Sequence, residues 1–160
     1  MSKLRPDSLL VHGGTARSPF GETSEALFLT SGFRYDCAED AEARFADRQD
    51  GFVYSRLANP TVRMFEQRLA ALEGFEEAAA TATGMAAVNG ALMSQLRAGD
   101  RVVAGRVLFG SCHYILTEIL PRFGVEVVLV DGRDPQAWAA ALDRPTRAVF
   151  FETPANPTLE

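Results

Sequence analysis

Met85, Val88, Leu92 and Leu96 recur at steps of three and four, the spacing that gathers apolar side chains on one helix face. The residues before them, about Glu77 to Ala82, are mostly small and β-tolerant and predict a short strand. Thr83-Gly84-Met85 is the join, where a threonine hydroxyl can cap the helix and glycine admits another group close to the backbone. A second stripe, Val62, Phe65, Leu69 and Leu72, starts behind Asn59-Pro60 and stops at Gly74, which predicts a capped helix with that face inward. Asp36 to Glu39 has the spacing of a capping box and predicts a short helix through Phe45. Apolar runs at 101–104, 125–130 and 147–152 predict strands. Between them, helices are predicted from Ser111 as cap towards Pro121 and from Asp134 to Leu142. Strands and helices alternating at this spacing imply an α/β fold, a mostly parallel sheet covered by helices. Residues 1–35 have no sustained period and read as an extended arm.

Composition narrows the picture. Of 160 residues, 47% are hydrophobic and the net charge is −5, which suits a globular chain rather than a disordered one. The basic residues are scattered, with no run and no aromatic interleaving, so nucleic acid is not an expected partner. No apolar stretch approaches the length of a membrane span and the first residues lack the apolar core of a signal peptide, so no membrane partner is expected. Cys37 and Cys112 have neither metal spacing nor a disulfide framework, and a reducing cytoplasm is the expected location.

Ligands of open α/β sheets sit at the carboxyl ends of the strands. That rule selects Thr83-Gly84-Met85, the Arg106 to Ser111 loop and the Thr153 to Pro157 loop. At the first, free N–H groups and the positive end of the helix dipole suit a phosphate, although a plain strand-to-helix turn explains the same residues. Tyr54 and Arg56, two apart in extended backbone, can grip one phosphate together, or be a packed phenol and an exposed guanidinium. Phe109 can lie over a flat ligand or simply pack. Asn156, between two prolines, has an amide of fixed direction or belongs to an ordinary turn. His12 and His113 read as structural or surface residues. Nothing matches a dinucleotide fingerprint, a P-loop or a nucleophile elbow. The single lysine is Lys3.

Three segments together carry more than their parts. Tyr54-Ser-Arg-Leu-Ala-Asn-Pro-Thr61, Ala82-Thr-Gly-Met-Ala-Ala87 and Glu152-Thr-Pro-Ala-Asn-Pro157 stand in the order and approximate spacing of the Cys/Met-metabolism family of pyridoxal-phosphate enzymes, and the whole chain resembles that family. Phe28-Leu-Thr-Ser-Gly-Phe33 and Phe109-Gly110-Ser111 resemble its O-succinylhomoserine sulfhydrylase branch most. The resemblance implies pyridoxal 5'-phosphate as cofactor, with Thr83, Gly84 and Met85 at its phosphate, Phe109 stacked on its ring, and Asn156 on its phenolic oxygen. It further implies a homo-oligomer, dimer or tetramer, in which Tyr54 and Arg56 reach the phosphate of a neighbouring subunit. Phe109 stands where many members carry tyrosine, and this loss of a phenol favours a sulfhydrylase role over a lyase one. The implied reaction replaces the acyl group of an O-acylhomoserine by sulfide to give homocysteine, within methionine biosynthesis. Cystathionine γ-synthase and γ-lyase activities are alternatives, as is a non-catalytic α/β module for a phosphorylated metabolite.

The resemblance places residues 1–58 as an arm and short helix making oligomer contacts, and 59–160 as the first part of a truncated cofactor-binding large domain. The family's Schiff-base lysine, its pyridinium-pairing aspartate and its substrate-binding arginine match no position here. Lys3 does not stand in for the first, and arginine, always protonated, forms no imine. The chain itself is therefore expected to be inactive, as an N-terminal fragment.

Overall fold

The computed structural model describes residues 5–159, so Lys3 lies outside the described residues. The chain forms two compact units that divide between Ala80 and Thr81.

In the first unit, α1 (Pro6–His12) packs on α3 (Pro60–Glu73), with α2 (Ala38–Phe45) between them in sequence. Helix α3 begins as the sequence predicts. Asn59 Oδ1 accepts the Thr61 N–H at 2.9 Å, Pro60 occupies the first turn, and Gly74 ends the helix at φ 75°. Asn59 also ties the arm down, its Nδ2 donating to Phe28 O and Ser55 Oγ at 2.9 Å each. Arg68 does the same farther along, donating to Gly13 O at 2.7 Å and Thr15 Oγ1 at 3.0 Å and pairing with Glu25. Gly14, at φ 69°, runs so close to α3 that a Cβ there would lie 2.7 Å from Met64 O.

Several expectations fail in this unit, the first being the extended arm, since Pro6–His12 winds into a helix with Pro6 in its first turn. The buried residues of α3 are Met64 and Ala70, whereas Val62, Phe65 and Leu69 are exposed. The arm reaches the helix on the Met64–Arg68 side, so that side is covered and the predicted stripe is not. The capping box at α2 does not form either: Cys37 is the cap residue, without a side-chain bond, and the Asp36 carboxylate pairs with Arg34 at 2.9 Å.

The second unit holds a three-stranded parallel sheet in the order β2-β1-β3, from β1 (Arg101–Gly105), β2 (Glu126–Val130) and β3 (Ala148–Phe150). Val102 stands opposite Val127 on one side and Ala148 on the other. Every residue of the central strand is buried, which is why it reads as a continuous apolar run after Arg101. Helix α4 (Gly84–Met93) lays Met85, Val88 and Leu92 on the core, with Leu96 following, as its spacing predicts. The chain from α5 (Gly110–Tyr114) to α6 (Leu120–Arg122) is continuous helix through a π turn at Ile115–Ile119, where the Leu120 N–H reaches back to Ile115 O. That wider turn lets the helix carry Pro121, which has no N–H of its own. Leu116 and Leu120 are fully buried on its inner face. Ser111 is not its cap; Phe109 holds that position, without a side-chain cap bond. Helix α7 (Pro135–Ala141) is capped by Asp134, whose carboxylate accepts the Gln136 N–H at 2.9 Å.

The strand predicted at 77–82 is absent. Among the described residues no backbone ladder forms there: the Ala80 N–H donates to the Glu66 carboxylate at 2.7 Å instead. Among the described residues no helix is long and apolar enough to cross a membrane.

Candidate functional site

The three strands point the same way, so the loops after Gly105, Val130 and Phe150 share one end of the sheet. A cavity of about 330 Å³ opens there, lined among others by Val107, Asp131, Trp138, Val149 and Phe151. Trp138 meets Phe151 edge to face at 6.2 Å and donates its indole N–H to Gly132 O at 3.1 Å. Asp131 accepts the Arg133 N–H at 3.0 Å, and this bond, ahead of the guanidinium of the same residue, holds its carboxyl below the usual range. Val107, Thr153 and Ala155, from two of the loops selected from the sequence, line this cavity, whereas Tyr54, Arg56, Thr83, Gly84, Met85, Phe109 and Asn156 do not.

Those residues lie on other features of the molecule. Thr83, in extended backbone, caps α4: its Oγ1 accepts the Ala86 N–H at 3.1 Å and its carbonyl accepts Ala87 N–H at 3.1 Å. Helix geometry gives the N–H groups of Gly84 and Met85 no acceptor within the helix, and the dipole adds positive potential in front of them. An ideal Cβ on Gly84 meets nothing within 4 Å, so the approach to these amides is open.

Phe109 starts α5 and keeps 41% of its surface exposed. The loop that carries it is held from 43 residues away: the Phe109 N–H donates to the Glu152 carboxylate, 2.9 Å from each oxygen. The Cys112 thiol, one turn into the helix, is raised above its ordinary range first by burial, then by its hydrogen bond to Glu152 and by that negative charge. Asn156 is exposed beside Ala155, which is buried and anchors the same loop. Glu152 received no role from the sequence. Its signal was its place, an acidic residue at a strand end directly before the proline-stiffened loop.

Tyr54 and Arg56 belong to the first unit. The backbone between them is not extended as predicted but turns, with the N–H groups of Leu57 and Ala58 both donating to Tyr54 O. The turn still joins the pair, placing the Arg56 guanidinium carbon 5.3 Å from the centre of the Tyr54 ring. Tyr54 is fixed from behind by an antiparallel bridge to Gly32, and both side chains are exposed. Among the described residues no three His, Cys, Asp or Glu side chains are grouped to hold a metal ion.

Known proteins resemble the chain in sequence and in structure. The family model described as Cys/Met metabolism PLP-dependent enzyme matches residues 7–160. An O-succinylhomoserine sulfhydrylase of Mycobacterium tuberculosis is 57% identical over 147 residues, covering 92% of this chain and 36% of the relative. An L-methionine gamma-lyase of Porphyromonas gingivalis is 43% identical over 149 residues, covering 93% of this chain and 37% of the relative. A crystal structure from Campylobacter jejuni, described as an O-acetylhomoserine (thiol)-lyase with N'-pyridoxyl-lysine-5'-monophosphate, superposes with a TM-score of 0.91 at 30% identity, covering 99% of this chain and 39% of that one. The chain thus spans well under half the length of each protein it matches here.

Proposed function

The chain belongs to the family of Cys/Met metabolism PLP-dependent enzymes, and from that premise we propose that it carries the phosphate and ring contacts of an enzyme that exchanges the acyl group of O-succinylhomoserine for sulfide. The observation that carries the cofactor part is the open N-terminus of α4, where Thr83 satisfies Ala86 and leaves the amides of Gly84 and Met85 to an anion. This donor set fits a phosphate ester. The reaction part rests on 57% identity to an O-succinylhomoserine sulfhydrylase.

In this reading the Gly84 and Met85 N–H groups and the Thr83 hydroxyl hold the phosphate. The exposed Phe109 ring covers one face of the pyridine, and the Asn156 amide donates to the phenolic oxygen. Tyr54 and Arg56 supply a phenol and a cation to the phosphate held by a neighbouring subunit of a homo-oligomer in the cytoplasm. Bound pyridoxal phosphate supplies an electron sink for the charge that develops on the amino-acid substrate. Phe109 has no proton to give, which favours replacement over a route that needs an acid at that position. An elimination like that of the methionine gamma-lyase relatives is the second reading, favoured by their 43% identity.

Gly84→Asp tests the cofactor part. An aspartate in the first turn suits the helix dipole and has room at this position, so the fold is expected to stand. Its carboxylate occupies the anion's place. We expect the full-length protein with Gly84→Asp to lose pyridoxal phosphate on dialysis while Gly84→Ala keeps most of it, read by visible absorbance. Retention by Gly84→Asp equal to the parent's removes the phosphate from this site.

A further inference from the structure

Glu152 bridges two loops that neighbouring strands present. It leaves the end of β3, and its carboxylate crosses to the loop after β1, where it takes the Phe109 N–H from both oxygens at 2.9 Å. The same carboxylate, after burial, raises the pKa of the Cys112 thiol one turn further on. Helix α5 has no side-chain cap of its own at Phe109, and Glu152 accepts from a distance the N–H of that cap residue, as the glutamate of a capping box does locally elsewhere. A negative charge at this helix start is also favoured by the dipole. On the other side of Glu152 the backbone runs straight into Thr153-Pro154-Ala155-Asn156, held by the buried Ala155.

We propose that Glu152 is a positioning residue that locks the Phe109 loop to the Asn156 loop, so that ring and amide meet the cofactor as one unit. This rests on the cofactor reading above. The clamp fixes the Phe109 backbone, and with it the direction from which the exposed ring approaches a flat ligand. Without it, the loop after β1 and the start of α5 lose their shared anchor while the sheet beneath keeps its ladder. The thiol gives the clamp an independent reporter, because the rise in the Cys112 pKa depends on the Glu152 carboxylate after burial.

The test uses the full-length protein and its variants Glu152→Ala and Glu152→Gln. Cofactor-free protein is treated with N-ethylmaleimide across pH, and alkylation of the tryptic peptide 107–122, whose one cysteine is Cys112, is followed by mass spectrometry. Loss of the carboxylate charge moves the midpoint of the rate–pH profile down, and a thiol pKa lower by about one makes alkylation near neutral pH about tenfold faster. Glutamine keeps the shape and one acceptor, so its profile shifts while its packing stays; if the alanine variant is unfolded by far-ultraviolet circular dichroism, the glutamine variant decides. Protein loaded with pyridoxal phosphate is then read by visible circular dichroism. Glu152→Ala is expected to lose at least half of the induced band, with Glu152→Gln nearer the parent. An unmoved thiol profile in both variants overturns the clamp. A shifted profile with an unchanged cofactor band overturns the positioning role. A parent protein that takes up no cofactor defeats the underlying reading and the positioning role with it, and the thiol profile shows separately whether the clamp exists.

Discussion

Asn59 and Arg101 are the buried polar groups on which each unit's local order depends. Asn59 fills three bonds, one as helix cap and two as donor to the arm. Replacing it by alanine removes the cap and leaves the Phe28 carbonyl and Ser55 hydroxyl without that donor. We expect Asn59→Ala to cost about 1–3 kcal/mol in urea unfolding, and Asn59→Asp, which keeps the cap and loses both donors, to fall between. Equal stability of Asp and Asn variants means that the arm bonds contribute nothing. Arg101, at the start of the central strand, donates to Glu126 at 3.1 Å, to Ala141 O at 2.6 Å and to Thr146 Oγ1 at 2.9 Å. Its bond to Glu126, with Arg144 adding to it, lowers the Glu126 carboxyl below its usual range. A carboxyl depressed in the fold stabilises above its unfolded pKa, and that contribution disappears as pH falls through the folded value. Stability is therefore expected to drop on acidification more in the parent than in Glu126→Gln, by a small amount since the pair is solvent-screened. Parallel pH curves for the two remove the link. Asn59 was legible in the sequence because Asn-Pro signals a helix start by local chemistry. Arg101 was not, because its partners lie 25, 40 and 45 residues away and no local pattern marks them.

At the scale of elements, periodicity served where one face met a covering surface within the same unit. The stripe of α4 lies on the sheet core, and the three later strands form within a few residues of their predicted bounds. Helix α3 shows the limit: its stripe has the same steps of three and four, yet the arm lies along another side and leaves Val62 and Phe65 exposed. Spacing reports that a face is apolar and cannot say what reaches it. The site followed the same division. Thr83-Gly84-Met85 was readable because a cap and a glycine act through adjacent backbone, whereas the Glu152 clamp spans 43 residues. The cap itself is testable. Thr83→Ala should cost about 1 kcal/mol in denaturant unfolding, with Thr83→Ser close to the parent. If the two variants unfold alike, the hydroxyl seen on Ala86 does not hold the helix in solution.

On the scale of the whole molecule, order should be uneven, because pairing is. The central strand β1 has a ladder on both sides, whereas β2 and β3 are edges of the sheet, and Val149 and Phe151 are exposed at the β3 side. The residues between the two units, Ala78 to Ala82, have no ladder at all among the described residues, and the Ala80 amide relies on one exposed carboxylate. Amides opened by local fluctuation exchange at a free energy far below that of global unfolding, whereas amides of a doubly paired core strand exchange near the global limit. Hydrogen exchange on the 160-residue chain should therefore be slower at Val102 to Ala104 than at Ala78 to Ala82 by on the order of a hundredfold. The open apolar edge makes a second demand on the same molecule: such edges recruit other strands, and a lysine at an outward position blocks that pairing. Val149→Lys, at an exposed position of β3, is expected to lower concentration-dependent light scattering without changing protection in β1. Equal protection of Ala78–Ala82 and Val102–Ala104 in a soluble monomer would show that the segment between the units has found a backbone partner that this fold does not contain.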